Sequence, residues 1–438
     1  MNRRALVGWM VAACCTLPAV AQMGGFGGPS ILSRGAGTAG RSGGRPVSFR
    51  PFAGISAGYF SGLTSFDSLN ESGRFGYLAN FGAMANSVGK RDFASLDYRG
   101  NYTSLRDTTA FGGNNHSMSA TYGRQFSPRL TMFLAQGASY YSYLAGNSFT
   151  SFSDNPTAQL PNPSSNLFDS KVLALSSAAG ITYQKSARLS FSTSGSAFFY
   201  RYRDPFLVDT DGYGTTSSVS YLLSRRQSVG ASYSFNTFSY KNNFGEAYVH
   251  NIMGTFGRIV SPRWTVNLAA GIFQVESERL VRVNVDPFIA AITGQNQVIE
   301  AFHGTMRGVS GNASIAGRFS RSSVAFTYQR GISPGNGAYL TSLQDTAGAS
   351  YTYTGIRYWN IGANVNYSKM NTVIDSHGTF GYLGFGGGVS RRITSILHFN
   401  ANVNAFRSTN TGDSFQHDRF MATVGITFAP GDMPLPLF

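Results

Sequence analysis

One phrase occurs twice in this chain, Gly-Arg-Gln-Phe-Ser-Pro-Arg at Gly123 to Arg129 and Gly-Arg-Ile-Val-Ser-Pro-Arg at Gly257 to Arg263. On both sides of each copy, apolar and polar residues alternate. After the second copy Trp264, Val266, Leu268, Ala270 and Ile272 fall on one face, and Thr265, Asn267, Ala269 and Gly271 on the other. A period of two marks a strand with two unlike faces, and a short polar turn between two such strands marks a hairpin. By this register Leu130, Met132 and Leu134 correspond to Trp264, Val266 and Leu268. The same alternation returns at Phe420 to Phe428, from Trp359, from Ile396 and from Ser228.

A sheet with one apolar face needs a covering layer in water, and no amphipathic helix is apparent to supply one. In lipid the same sheet must instead close on itself, because every backbone N–H and C=O needs a partner. Closure turns the apolar face to lipid and the Asn, Ser and Gly face to a lumen. Composition agrees. Charged residues are 13 % of the chain, against about 25 % in ordinary soluble domains, aromatics are 14 %, and there are 52 Gly in 438 residues. No apolar run beyond the N-terminus is long enough for a spanning helix.

Arg3 and Arg4, the apolar run Ala5 to Cys15, Pro18 and the small-x-small triplet Ala19-Val20-Ala21 read as a secretory signal peptide over residues 1–21. A lipobox at Val11 to Cys14 is the weaker alternative. Cys14 and Cys15 both lie in the signal, so the mature chain has neither disulfides nor thiolate chemistry. Residues 22–46 are Gly-rich and aperiodic, a flexible tail or a small plug. The barrel is expected over 47–428, with a Pro-rich extension at 429–438.

Short turns centre on residues 88–90, 127–128, 186–187, 225–226, 261–262, 320–321, 355–357 and 391–392. Longer connections are expected at 146–170, 204–214, 278–303, 333–348 and 408–417, which carry the Pro, Asn, Asp and Gly of loops. This spacing predicts an all-β, transmembrane, antiparallel up-and-down barrel of about 16–18 strands. Short turns then belong in the periplasm with both termini, and long loops outside.

The formal charge is +15, or +13 without Arg3 and Arg4. Much of it sits at the short turns: Lys90, Arg91, Arg124, Arg129, Lys185, Arg188, Arg225, Arg226, Arg258, Arg263, Arg318, Arg321, Arg357, Arg391 and Arg392. Charge spread around a rim is not the single basic stripe of a nucleic-acid binder, and export argues further against nucleic acid. A lipid-facing Arg at the midplane costs about 2–4 kcal/mol, so in-strand cations belong in the lumen or near a rim. The pore-lining candidates are Arg99, Arg201, Arg203, Asn267, Arg282, Asn312, Asn360, Asn364, Asn366, His398, Asn400, Asn402 and Asn404. Rings of Arg give a pore anion preference. Pairing with acids such as Asp97, Asp204 or Glu276 is the competing reading.

No chemistry-bearing motif survives its context. Gly35-x-Gly37-x-x-Gly40 lies in the aperiodic tail, and Gly54-x-Ser56-x-Gly58 lies in a barrel strand. The six histidines lack metal-ligand spacing. His303 and His417, near Glu300 and Asp418, are explained by loop polarity as well as by a hydrolase site. Hence no catalytic residue, cofactor or metal is expected.

The signal ending Ala19-Val20-Ala21, the Ser-Pro-Arg hairpins and the closing strand Phe420 to Phe428 together resemble Gram-negative outer-membrane β-barrels of the porin type. The resemblance covers nearly all of the mature chain, and its motifs are generic. It implies a terminal aromatic recognised by the barrel-assembly machinery, with Phe428 or Leu437-Phe438 in that role. The expected partners are therefore outer-membrane lipid, that machinery and small hydrophilic solutes passing by diffusion through a monomer or homotrimer. A barrel of an export system such as exopolysaccharide secretion is the alternative, as is a plugged structural or adhesion barrel.

Overall fold

The computed structural model describes residues 47–62, 73–105, 108–142, 171–241, 244–284, 297–373, 379–410, 415–431 and 433–434. The expected signal peptide, the Gly-rich tail, the 146–170 connection and Leu437-Phe438 lie outside them. Strands follow in order as β1 (Val47–Ser61), β2 (Arg74–Val88), β3 (Asp92–Leu105), β4 (Thr108–Ser127), β5 (Leu130–Tyr141) and β6 (Val172–Gln184). Next come β7 (Leu189–Tyr202), β8 (Thr210–Ser224), β9 (Gln227–Tyr240), β10 (Gly245–Ser261), β11 (Trp264–Asn284) and β12 (Gln297–Arg318). The last are β13 (Ser322–Gly335), β14 (Leu340–Tyr353), β15 (Trp359–Thr372), β16 (Thr379–Arg392), β17 (Leu397–Asn410), β18 (Phe415–Phe428) and the two-residue β19 (Met433–Pro434).

Each of β1 to β18 pairs antiparallel with its sequence neighbours, and β1 pairs with both β2 and β18. The seam runs from Ala53 opposite Phe428 to Ser61 opposite Phe420, without a register shift. The chain is therefore an eighteen-stranded closed up-and-down barrel in which every strand from β1 to β18 pairs on both sides, although β12 meets β13 only over Gly311–Arg318 and its loop-end half pairs with β11 alone. β19 lengthens the seam by pairing Phe49 with Met433 and Ser48 with Pro434. Between the two sets of pairs lie three residues of β1 and four of the C-terminal segment, and Gly431 there has a positive φ of 83°.

The repeated phrase forms a hydroxyl-capped turn. Ser127 Oγ accepts from the backbone N–H groups of Arg129 (3.3 Å) and Leu130 (3.1 Å), and Ser261 Oγ from those of Arg263 and Trp264 (3.2 Å each). The proline that follows fixes φ for the second turn position. Ser186 and Thr394 cap their turns in the same way without proline. The last turn residue then gives its carbonyl to the neighbouring hairpin, as Arg129 does to Gln184 N (2.7 Å) and Arg263 to Arg318 N (2.8 Å). Adjacent hairpins are thus locked in register at their turn ends.

Side-chain exposure identifies the two faces. Ile55 (70 %), Phe75 (69 %) and Ile272 (64 %) share the face on which most exposed apolar side chains lie, while Asn360 (4 %) and His398 (2 %) share the other. An apolar outer band this continuous suits lipid and not water. Leu134 and Leu268 lie on that outward face, as their register predicts.

Several boundaries differ from the sequence reading. Residues 278–303 are not one long connection, because β11 continues to Asn284 and β12 begins at Gln297. Between β13 and β14 only four residues separate the strands, and β8 starts at Thr210. Arg391 and Arg392 belong to β16, and the turn follows at 393–396. The cause is common to all: a ladder continues wherever both backbones stay extended, and polar side chains do not end it.

Replacing Ser261 by Ala should lower unfolding stability by about 1 kcal/mol, the net worth of a hydrogen bond, while Ser261→Thr should retain it. Urea titration followed by heat-modifiable gel mobility measures both.

Candidate solute path

The inward face of β15, β16 and β17 brings Asn360, Asn364, Asn366, Asn400, Asn402 and Asn404 to one part of the lumen wall, beside Gly384, Gly386 and Gly388. The glycines make room. A Cβ on Gly386 would collide with the amide oxygens of Asn364 on one side and Asn404 on the other. Asn400 Nδ2 donates to Thr427 Oγ1 on the next strand (2.8 Å), and Asn267 Nδ2 donates to Ser314 Oγ (3.3 Å). Asn312 and His398 share the inward face. Asn366, Asn400 and Asn402 are half-buried and can exchange hydrogen bonds with water or a polar solute, whereas Asn360, Asn364, Asn404 and His398 are buried in the wall among their neighbours.

The candidate cations divide. Arg99 faces inward and holds Asp97 with Nε to Oδ1 (3.0 Å) and Nη2 to Oδ2 (2.8 Å). Arg201 is a correction: it pairs in register with the outward Leu173, so it lies on the outer face, joined to Asp211 and to Asp209 (3.8 Å). Alternation misplaces it because Phe198 and Tyr200, bulky and apolar, face inward here. Arg203 is likewise no pore residue; it is exposed and follows the end of β7. Arg282 lies within β11, but its side chain falls outside the described residues. Five inward arginines were not among the pore-lining candidates. Arg50 pairs with Met84, Arg74 with Phe60, Arg318 with Ser323 and Arg392 with His398, all on the lumen parity. Arg419 is inward too, and its Nε donates to His417 Nε2 (2.8 Å). Counting turn residues as strand ends would have found Arg318 and Arg392.

Among the described inward strand residues there are six arginines, Arg50, Arg74, Arg99, Arg318, Arg392 and Arg419, and a single carboxylate, Asp97. Among the described residues the remaining strand arginines at the loop end face outward and have partners. Arg330 meets Asp345 (3.0 Å), Arg407 meets Asp418 (2.7 Å), and Arg307 Nε donates to Gln274 (2.9 Å). His303 also faces outward and contacts Glu278 (3.3 Å).

The hairpin between β13 and β14 folds into the lumen. Gly335 and Gly337, with φ of 87° and 89°, turn the chain inward, and a Cβ on Gly335 would run into the carbonyl of Tyr339. On one side Tyr240 fixes the hairpin. Its hydroxyl lies 3.1 Å from Pro334 O and 2.6 Å from Thr341 Oγ1, and accepts from Thr341 N (2.7 Å). Val208 N adds a bond to Gly337 O (3.0 Å). Leu340 and Leu343 pack with Tyr200, Phe238 and Phe273 of β7, β9 and β11. On the other side Tyr339 packs with Met370 and Phe380 of β15 and β16. In an eighteen-strand ring β7 and β16 stand opposite one another, so this strap crosses the lumen and narrows its loop end.

A closed antiparallel barrel with an apolar outside, a polar inside and an inward strap belongs to the transmembrane barrel class. No family model and no curated protein matches the chain. Among solved structures it is similar to OccAB3 of Acinetobacter baumannii, with 10 % identity over 87 % of this chain and 99 % of that one at a TM-score of 0.39. OpdQ of Pseudomonas aeruginosa gives 11 % identity over 90 % and 98 % at 0.42. The FrpB iron transporter of Neisseria meningitidis gives 9 % over 85 % and 64 % at 0.42. Likeness at this level carries no argument; the fold rests on the closed ring of strand pairs.

Replacing Tyr240 by Phe removes the hydroxyl that holds both ends of the strap. The expected result is a larger or more fluctuating single-channel conductance with unchanged heat-modifiable mobility, read in planar bilayers.

Proposed function

We propose that this chain is an outer-membrane channel through which small hydrophilic solutes diffuse, with anions preferred. The observation that carries the reading is the pairing of a closed, apolar-outside ring with an inner wall of amides, hydroxyls and six arginines against one carboxylate among the described residues. No catalytic group is needed. Lumen side chains replace part of a solute's hydration, and fixed positive charge raises the local concentration of anions. Asn360, Asn364, Asn366, Asn400, Asn402 and Asn404, with Asn267, Asn312, His398 and Arg99, line the path in this reading.

The arginines are spread along the lumen axis. Arg74 and Arg419 stand towards the loop end, Arg99 midway, and Arg50, Arg318 and Arg392 towards the turns. An anion therefore meets a favourable potential along its route and is not trapped at one point. Arg99 contributes least, because Asp97 neutralises it. In the same reading residues 1–21 direct export and are removed, and the short turns and both barrel termini face the periplasm.

Reconstituted protein should give steady conductance steps in planar bilayers, and repeated silence would remove the channel reading. In a potassium chloride gradient the reversal potential should have the sign of chloride preference. The double variant Arg318→Gln, Arg392→Gln should shift it towards zero, while cation selectivity of the parent would end the anion assignment.

A further inference from the structure

The two ends of the lipid-facing surface handle positive charge differently. At the loop end the outward arginines have protein partners, with Asp345, Asp418 and Asp211 among them. At the turn end Arg258 and Arg391 lie on the outward parity, opposite Val266 and the outward Trp359. Neither takes part in an ion pair among the described residues. Arg124 is outward as well, with Asp92 across the ladder; Asp92 is the single acid among the described residues of that rim.

The partners these cations do have are aromatic. Arg391 stands 5.2 Å from the Trp359 ring, Arg357 4.7 Å from Tyr358, and Arg124 5.5 Å from Phe126. A guanidinium over an aromatic face keeps its N–H edges free to donate. Amphipathic rings of this sort sit at the boundary between acyl chains and headgroups. For Arg391 and Arg124 outward position, aromatic support and scarcity of carboxylates coincide at the turn end, while Arg357 shares the Tyr358 ring with the inward Arg392 (5.6 Å) at the rim itself.

We propose that the turn-end rim of the barrel is a binding surface for anionic phospholipid headgroups, with Arg391 and Arg357 around Trp359 and Tyr358 as one such site. Each guanidinium offers paired N–H donors to phosphate oxygens, and the neighbouring ring packs on the first part of the acyl chain. Anionic lipid would supply the counter-charge that the protein itself supplies at the loop end. This assignment rests on the barrel being embedded in lipid, but not on its being an open channel, so the two are tested separately.

Trp359 is a built-in reporter. In a Trp264→Phe background, with the signal of the Trp264→Phe, Trp359→Phe variant subtracted, its fluorescence is read in mixed vesicles of phosphatidylglycerol and phosphatidylcholine. Bromine is placed on the acyl chains of one lipid and then of the other. Quenching should show at least a twofold preference for phosphatidylglycerol around Trp359. The preference should fall towards one in Arg391→Gln, Arg357→Gln and survive in Arg391→Lys. Equal quenching by the two lipids, or a preference indifferent to the glutamine substitutions, would overturn the proposal and leave the rim to an acidic partner in the aqueous phase. Heat-modifiable mobility of each variant establishes that the barrel is folded before quenching is compared.

Discussion

The rest of this structure depends on the seam between β1 and β18. Each of the other strands finds two partners through a turn or a loop to its neighbour in sequence, but this pair joins the first wall strand to the last. Its nine paired positions close the ring of strand pairs. In a medium without water an unpaired edge of that length would cost several kcal/mol for each exposed group. Closure also fixes what the side chains do. With the ring complete, one parity of all eighteen strands meets lipid and the other meets the lumen. β19 carries the same logic two residues further, covering Ser48 and Phe49 where β18 has ended.

The wall was legible in the sequence because it is a single layer with a different solvent on each side, so alternation reports facing directly. The strands from Trp359, Ser228 and Phe420 show this, since their apolar and polar sets fall on the faces that exposure assigns to them. Legibility fails where the lumen itself becomes apolar. Phe198, Tyr200 and Phe238 face inward because the strap covers them, and this reversal hid the outward position of Arg201. The strap was illegible for a different reason. Its anchor, Tyr240 to Thr341, joins residues 101 apart in the chain, and nothing local at Tyr240 announces it.

Charge placement follows from the same geometry. An arginine at the outer loop end lies close to headgroups and can keep a carboxylate beside it at little desolvation cost, as Arg330 and Arg407 do. An arginine on the inner face acts instead within a low-dielectric wall that focuses its field on the lumen. Arg99, held by Asp97, stands midway along β3, where the bond spans one rung spacing on the same strand face. Composition alone gives the total charge. The strand parity decides which part acts on the lumen.

The strap adds a constraint that the ring does not supply. Thr341 holds a positive φ of 27°, unfavourable for a β-branched residue, and Tyr240 meets both its backbone N–H and its hydroxyl. A backbone held away from its preferred region persists only while its surroundings over-determine it. Here the determining contacts come from opposite walls, Tyr240 and Val208 on one side and Phe380 on the other. Changes in the barrel's cross-section therefore act on the strap as a tension across its two anchorages. Since Leu340 and Leu343 bury against aromatic side chains, displacing the strap would expose apolar surface to the lumen. Widening the loop end requires breaking the Tyr240 bonds and this apolar packing together.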